Sequence, residues 1–582
     1  MNKEWNLDVL YLGLDDPQYL ADFKACEEVG KAIGEYAKTV GNADVKERTE
    51  KLLELIERFE ELLQKLYLYL MLRNATNTED GEVMAQKSKV LQIAAESAEA
   101  MCAAERVLAD IEDIDVLAAE SEIIKANIFY LKENKKNMAY RLSDEVEAMI
   151  SSMGMTGGVA WGNLQSFLTS TVKVDYEGKQ ITLPEVRNLA YDADSEVRKK
   201  AYEAELACYE KIQDSVAFAL NNIKNQVTML SKKRGFESPL EMTLNQAKMS
   251  RATLDAMMES IEEYLPVFRK YLRKKGELLG HKNGLPFYEL FAPLGQSEKK
   301  FTAEEAREYL VTCFNDLTPD LADMMAEAFD KEWIDFYPHS GKRGGAFCAG
   351  CGAINQSRIL TNFDGTFGAV DTLAHELGHA YHNRQLFGER PLNRDYPYPI
   401  AETASTFNEV HLGAYALKQA SAEEKLSLLE SDLKEKTQCI VDIYSRYLFE
   451  TAVFEQAQDK FLMAADLKEI MLDAQKKAYG EGLDENFLHP YMWVNKGHYY
   501  SSELSFYNFP YAFGTLYAQG LYGMFLKEGA DFVPKYKAML RGTSTQTIEG
   551  DGAVMGVDLT KKDFWKASLQ TIADEIEEFL KL

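Results

Sequence analysis

Two histidines four residues apart bracket a glutamate in the run His375-Glu376-Leu377-Gly378-His379. On a helix that spacing stacks both imidazoles on one face, about 6 Å apart along the axis. From there they can converge on one tetrahedral zinc, with Zn–N bonds of roughly 2.0–2.1 Å. Glu376, one residue past the first histidine, is placed to reach a water on such a metal rather than the metal itself. A polarised water beside a carboxylate base is the minimum apparatus for hydrolysing an amide at neutral pH. With eight histidines in 582 residues, a chance match to this pattern is on the order of a one per cent event. The competing reading is a pair of surface histidines on an amphipathic helix. Gly378 speaks against it, because glycine there costs about 1 kcal/mol relative to alanine, a cost that a close backbone approach would justify.

Zinc needs a third protein ligand. His382 lies on the same face, but seven residues of continuous helix is about 10.5 Å of rise, too far for three rings to meet one ion. The loop 390–399 carries Pro391, Pro397 and Pro399 and must end the helix. A new helical run starts at Ile400, with Glu402 in its first turn, where antiparallel packing would aim it at the histidine helix. Dipole compensation alone would also place a glutamate there; the need for a third ligand favours Glu402. Asp371, four residues before His375, and Glu409, seven after Glu402, share faces with the proposed ligands. Either is placed to accept a free ring N–H and fix a tautomer, and either is equally at home as a solvated acid.

Amide hydrolysis builds an oxyanion, and donors opposite the metal would stabilise it. The stretch from His498 to Gly514 is dense in aromatics, with His498, Tyr507 and Tyr511 as candidate donors. An aromatic core accounts for the same residues. Tyr507 and Tyr511 are spaced to share one helix face, with Pro510 between them marking a bent or irregular element.

Helices must carry this apparatus. Leu52, Leu55, Ile56, Phe59, Leu62, Leu63, Leu66 and Leu70 recur at helical spacing across 51–72. Further helices are expected after the turn at 74–81 to about Ile111, near 120–133, and after Asp144, where Glu147 suggests a capping box. A hairpin is expected at 171–183, with Pro184 opening a helix, then one long helix over 195–232 ending near Gly235. Gly341–Phe347 and Ser357–Phe363 read as short strands, offering either an edge for an extended peptide or a structural hairpin. Cys348 and Cys351 read as small residues in a glycine-rich turn. We place an N-terminal helical domain at 1–190 (a lid or channel wall, with the hairpin) and a catalytic domain at 191–582.

Composition bounds the partners. A net charge of −28 makes nucleic acid and anionic membrane poor partners. No apolar run approaches the ~18 residues of a membrane span, and the N-terminus lacks a signal peptide's apolar core. Seven scattered cysteines form no disulfide framework, which fits a reducing cytoplasm.

The segments HELGHAYH (375–382), AETASTFNE (401–409), GKRGGAF (341–347) and HYYSSELSFYNFPYAFG (498–514) together resemble the oligoendopeptidase F group within the thimet oligopeptidase family of zinc peptidases. The resemblance spans nearly the whole chain and is weakest before about residue 110. It implies a mainly α, elongated body divided by a deep substrate channel, with a small sheet beside the zinc helix and access for short unfolded peptides only. By position, His375, His379 and Glu402 resemble the family's zinc ligands and Glu376 its general base. His498, Tyr507 and Tyr511 fall where the family places substrate-binding and oxyanion-stabilising side chains. The expectation is therefore a zinc endopeptidase of oligopeptides with one Zn2+ per chain. The alternatives are a zinc dipeptidase or carboxypeptidase, with Arg343 as a carboxylate clamp, or a non-catalytic peptide-binding protein.

Overall fold

The N-terminal helices form because acidic caps and leucine stripes agree. In the computed structural model, which describes residues 3–295 and 299–582, Asp44 accepts hydrogen bonds from the Lys46 and Glu47 amides and starts helix Val45–Thr76. Its Leu52, Ile56, Phe59, Leu62, Leu66 and Leu70 are buried against helices Pro17–Thr39 and Gly81–Ala109. Met1 and Asn2, which open the stretch examined above for a leader, lie outside the described residues. The expected helix near 120–133 is instead three short ones, Ile114–Glu120, Glu122–Ala126 and Ile128–Met138. Ser121 caps the second, and Asn127 turns its side chain to Glu57, 2.8 Å away. This first core runs from Trp5 to Leu131 and takes in Cys351 and Leu360.

A second, larger core runs from Val174 to Phe579. The expected hairpin is present as β1 (Lys173–Tyr176) and β2 (Lys179–Thr182), antiparallel with Val174 opposite Ile181. Glu177 and Gly178 turn it with φ of 48° and 79°, the pair of positive values that matches strand twist. Thr182 and Glu185 form a capping box for helix Leu183–Asn188.

Further expectations need correction. The single helix over 195–232 breaks into Ser195–Tyr209 and Gln213–Arg234. No local breaker is present; Tyr209 and Ile212 are buried, and Lys211 reaches back to the Lys173 carbonyl and Asp175, so tertiary contacts win over propensity. Asp144 does not cap its helix; Ser143 precedes it without a side-chain cap bond. Glu147 instead accepts from the Leu142 amide and from both terminal nitrogens of Arg234. Finally, 341–346 is a turn, because Gly341 and Gly345 have φ of 80° and 81°, outside the β region. The strands are β3 (Ile334–Asp335), β4 (Phe347–Cys351) and β5 (Gln356–Leu360), in the order β3-β5-β4. β5 is parallel to β3 and antiparallel to β4, with Cys348 opposite Ile359, so β4 is an edge. All seven cysteines are free; Cys348 and Cys351 lie in strand β4 rather than in a turn, Cys348 meeting Asn383 and Cys351 joining the first core. The chain is mainly α with two small sheets. Among the described residues no helix is long and apolar enough to cross a membrane.

Candidate metal centre and active site

The helix Phe367–Leu386 begins where the Thr366 hydroxyl accepts from the Ala369 amide. Its buried Val370, Leu373, Ala374, Leu377 and Tyr381 anchor it in the second core, which leaves His375 and His379 half-buried on the other side. Gly378 is where the next helix crosses. A Cβ there would lie 2.6 Å from the Ala404 carbonyl oxygen and from the Ser405 Cα. Asn408 adds a hydrogen bond to the Ala374 carbonyl, at 2.9 Å. This contact brings in Glu402, which sits one residue before helix Thr403–Gln419 rather than inside its first turn.

Three atoms then converge. The two histidine Nε2 atoms are 3.2 Å apart, and Glu402 Oε2 lies 3.2 Å from the first and 3.3 Å from the second. Ligands at about 2.0–2.1 Å from a tetrahedral zinc would be spaced by about 3.3–3.4 Å. The triangle has the size of one face of that tetrahedron, and this trio is the group among the described residues that could hold a metal ion. The electrostatics agree. Burial opposes charge on the His375 ring, yet hydrogen bonds to Glu402 and Glu409 outweigh it and raise its proton affinity to about 11. Burial likewise opposes charge on Glu402, but both histidines hold it well below the usual carboxylate range. Such a site demands a positive charge, and a zinc ion fits its donors.

The neighbours sort themselves by distance. Glu409 Oε1 is 2.9 Å from His375 Nδ1 and so fixes the ring's orientation. Asp371 makes no hydrogen bond to His375; burial and the charge of Glu409 push its carboxyl upward. Glu376 is 5% exposed, and its Oε2 has no partner among the described residues. Burial raises its pKa, against the pull of both histidines. His382 stays out of the cluster. It is fully buried, with Nε2 2.8 Å from Thr543 Oγ1 and its ring stacked on Tyr396.

The aromatic candidates also gather. The His498 ring centroid is 5.2 Å from Tyr507 and 5.8 Å from Tyr511, and the tyrosines are 5.7 Å apart. They do not share a helix face. Pro510 lies in the first turn of helix Phe509–Glu528, so Tyr507 precedes it and Tyr511 opens it. Gly514 lets this helix approach Glu402, whose Cβ would be 3.3 Å from an added methyl. Burial and the charges of Tyr507 and Glu402 raise the Tyr511 phenol to about 12. Burial, then Arg446 and Lys496, lower the His498 pKa. Arg343 is exposed, its amide bonded to the Ala75 carbonyl and its guanidinium over the Phe347 ring.

Glu450 was not singled out from sequence. It is buried, paired with Lys224 at 2.6 Å, and accepts from the Phe506 amide and the Asn508 side chain, which holds the Tyr507 loop. A glutamate on the apolar face of helix Ile443–Gln456 was the available signal.

Comparison with known proteins covers nearly the whole chain. The chain is 25% identical to Oligopeptidase PepF of Bacillus subtilis, covering 99% of this chain and 87% of the relative. It is 24% identical to Group B oligopeptidase PepB of Streptococcus agalactiae over 92% and 90%. The fold matches oligoendopeptidase-F from Enterococcus faecium at a TM-score of 0.71 and 18% identity, over 97% and 98% of the chains. Residues 188–571, which hold every candidate side chain, match Peptidase family M3. On that match, two-thirds of its length, the chain belongs to Peptidase family M3.

Proposed function

We propose that this chain is a zinc-dependent endopeptidase that hydrolyses internal bonds of short unfolded oligopeptides. The convergence of His375, His379 and Glu402 beside an unpartnered Glu376 oxygen carries the reading. A zinc ion, which His375, His379 and Glu402 would hold, would supply Lewis acidity toward water and the scissile carbonyl. Glu376 accepts the proton of the attacking water and returns it to the leaving amine. Glu409 holds His375 in the tautomer that presents Nε2. Tyr507 and Tyr511 donate to the carbonyl oxygen as it gains charge, and His498 orders their rings. The free edge of β4 gives an extended substrate a strand to pair with. Relatives named oligopeptidase and oligoendopeptidase F support oligopeptides as the substrate class. Residues 1–190 serve as a wall over the catalytic part, 191–582, and seven unpaired thiols suit the cytoplasm.

A quenched fluorescent peptide blocked at both ends tests this reading. Cleavage that stops with chelator and returns with zinc is expected. Cleavage of free-ended peptides alone would mark an exopeptidase. Glu402→Ala should lose its metal by elemental analysis; full occupancy would reopen the ligand set.

A further inference from the structure

Beside the His498 corner lies a cavity of about 240 Å³, lined among others by Arg187, Tyr202, Glu205, Tyr288, Gln438 and Lys496. Arg187, Arg198 and Lys496 line it, Arg446 acts on Lys496 from nearby, and the three arginines have anions of their own. Arg187 lies 3.5 Å from Glu205, Arg198 donates to Glu289 at 2.7 Å, and Arg446 donates to Asp442 at 2.7 Å. The half-buried Lys496 ammonium forms no ion pair or side-chain hydrogen bond among the described residues. The groups facing it are Arg446 and Arg187, which repel it, and Asp442 and Glu205, which attract it without pairing. Burial first, then Arg446, presses its pKa down to about 8. With no carboxylate among the described residues bonded to it, this ammonium is open to an anion that enters the cavity.

We propose that this cavity is a carboxylate subsite for the peptide substrate, gripped by Lys496. The inference rests on the peptidase reading above and adds a specificity to it. Position supports it. The Tyr499 amide bonds to the Lys496 carbonyl, so Lys496 starts the turn Gly497–Tyr500 that carries His498. The ammonium stem and the imidazole therefore leave the same turn two residues apart, and His498 stacks on Tyr511. A peptide lying against Tyr511 and His498 would have beside it the turn from which Lys496 enters the cavity lining. A charge-assisted bond from an ammonium to a carboxylate out of bulk water is among the stronger polar contacts. Two carboxylates suit it: an Asp or Glu side chain, or the peptide's own C-terminus.

Labelled peptides bound to the full-length Glu376→Gln protein distinguish the sources without needing turnover. One set carries Glu or Gln at successive positions around the cleaved bond, with both ends blocked. The other ends in a free carboxylate or an amide. Fluorescence anisotropy should show a preference for one carboxylate of roughly tenfold, about one pairing's worth. Adding Lys496→Met should bring that ratio near one, and Lys496→Arg should restore most of it. In the Glu376 protein the same preference should appear in KM rather than kcat. A ratio unchanged by Lys496→Met, or peptides bound without any carboxylate preference, overturns the subsite and leaves the peptidase reading intact. Failure of every peptide to bind or be cleaved overturns the peptidase reading itself.

Discussion

Glu376 is the residue on which the proposed chemistry turns, because its second oxygen is buried without a partner while the three converging atoms lie on its neighbours. Glu376→Gln should keep zinc, by elemental analysis, and lose on the order of 10²–10⁴ in kcat; unaltered turnover would remove the base assignment. His382 makes a separate prediction. Burial presses its ring to about 3, below the ~6.5 of an unfolded histidine. The unfolded chain therefore takes up the proton first, and stability falls as pH drops through 6.5 toward 3. Between pH 7 and pH 5 that is about 2 kcal/mol. His382→Gln, which keeps a polar atom in reach of Thr543, should lose less over this range in urea titrations. An equal loss would place the sensitivity elsewhere.

Helices set the geometry, and they were legible to different depths. The motif helix and its spacing were readable because each turn repeats the same face, and Gly378 already hinted at a close approach. What crosses at Gly378 was not readable, since a Cβ meeting Ala404 and Ser405 is a fact of packing between segments far apart in the loop path. The break between Tyr209 and Gln213 was hidden for the same reason, as no Gly or Pro marks it. The turn at 341–346 was misread because glycines beside apolar residues look like strand ends until their φ is known. Tyr507 and Tyr511 were found, but their meeting depends on Pro510 starting a helix rather than bending one. Gly378→Ala tests the crossing. Alanine favours a helix by about 1 kcal/mol, yet the clash should win, lowering zinc content and the melting temperature together. A more stable, metal-replete variant would show that the crossing has slack.

The first core matters to the site through the loop that carries the chain from His379 to Glu402. Glu57, 5% exposed, receives Arg390 and Asn127, and Asn393 donates to the Ala126 carbonyl at 2.7 Å. Glu57→Ala leaves the partly exposed Arg390 to solvent but takes an acceptor from the buried Asn127 amide, and should cost about 1–2 kcal/mol. It should also weaken zinc retention during dialysis, although no ligand is changed. Normal retention would confine the first core to a covering role. The glycine turn has a further consequence. Its Gly341 carbonyl accepts from the Thr78 amide and its Arg343 amide donates to the Ala75 carbonyl, each at 2.8 Å, respectively six and four residues before β4 starts at Phe347. A tilt of helix Val45–Thr76 thus tugs on the strand that would hold a bound chain. Under the proposed function, a displacement of the first core would therefore reach a bound peptide through two backbone hydrogen bonds, with no side chain in the relay.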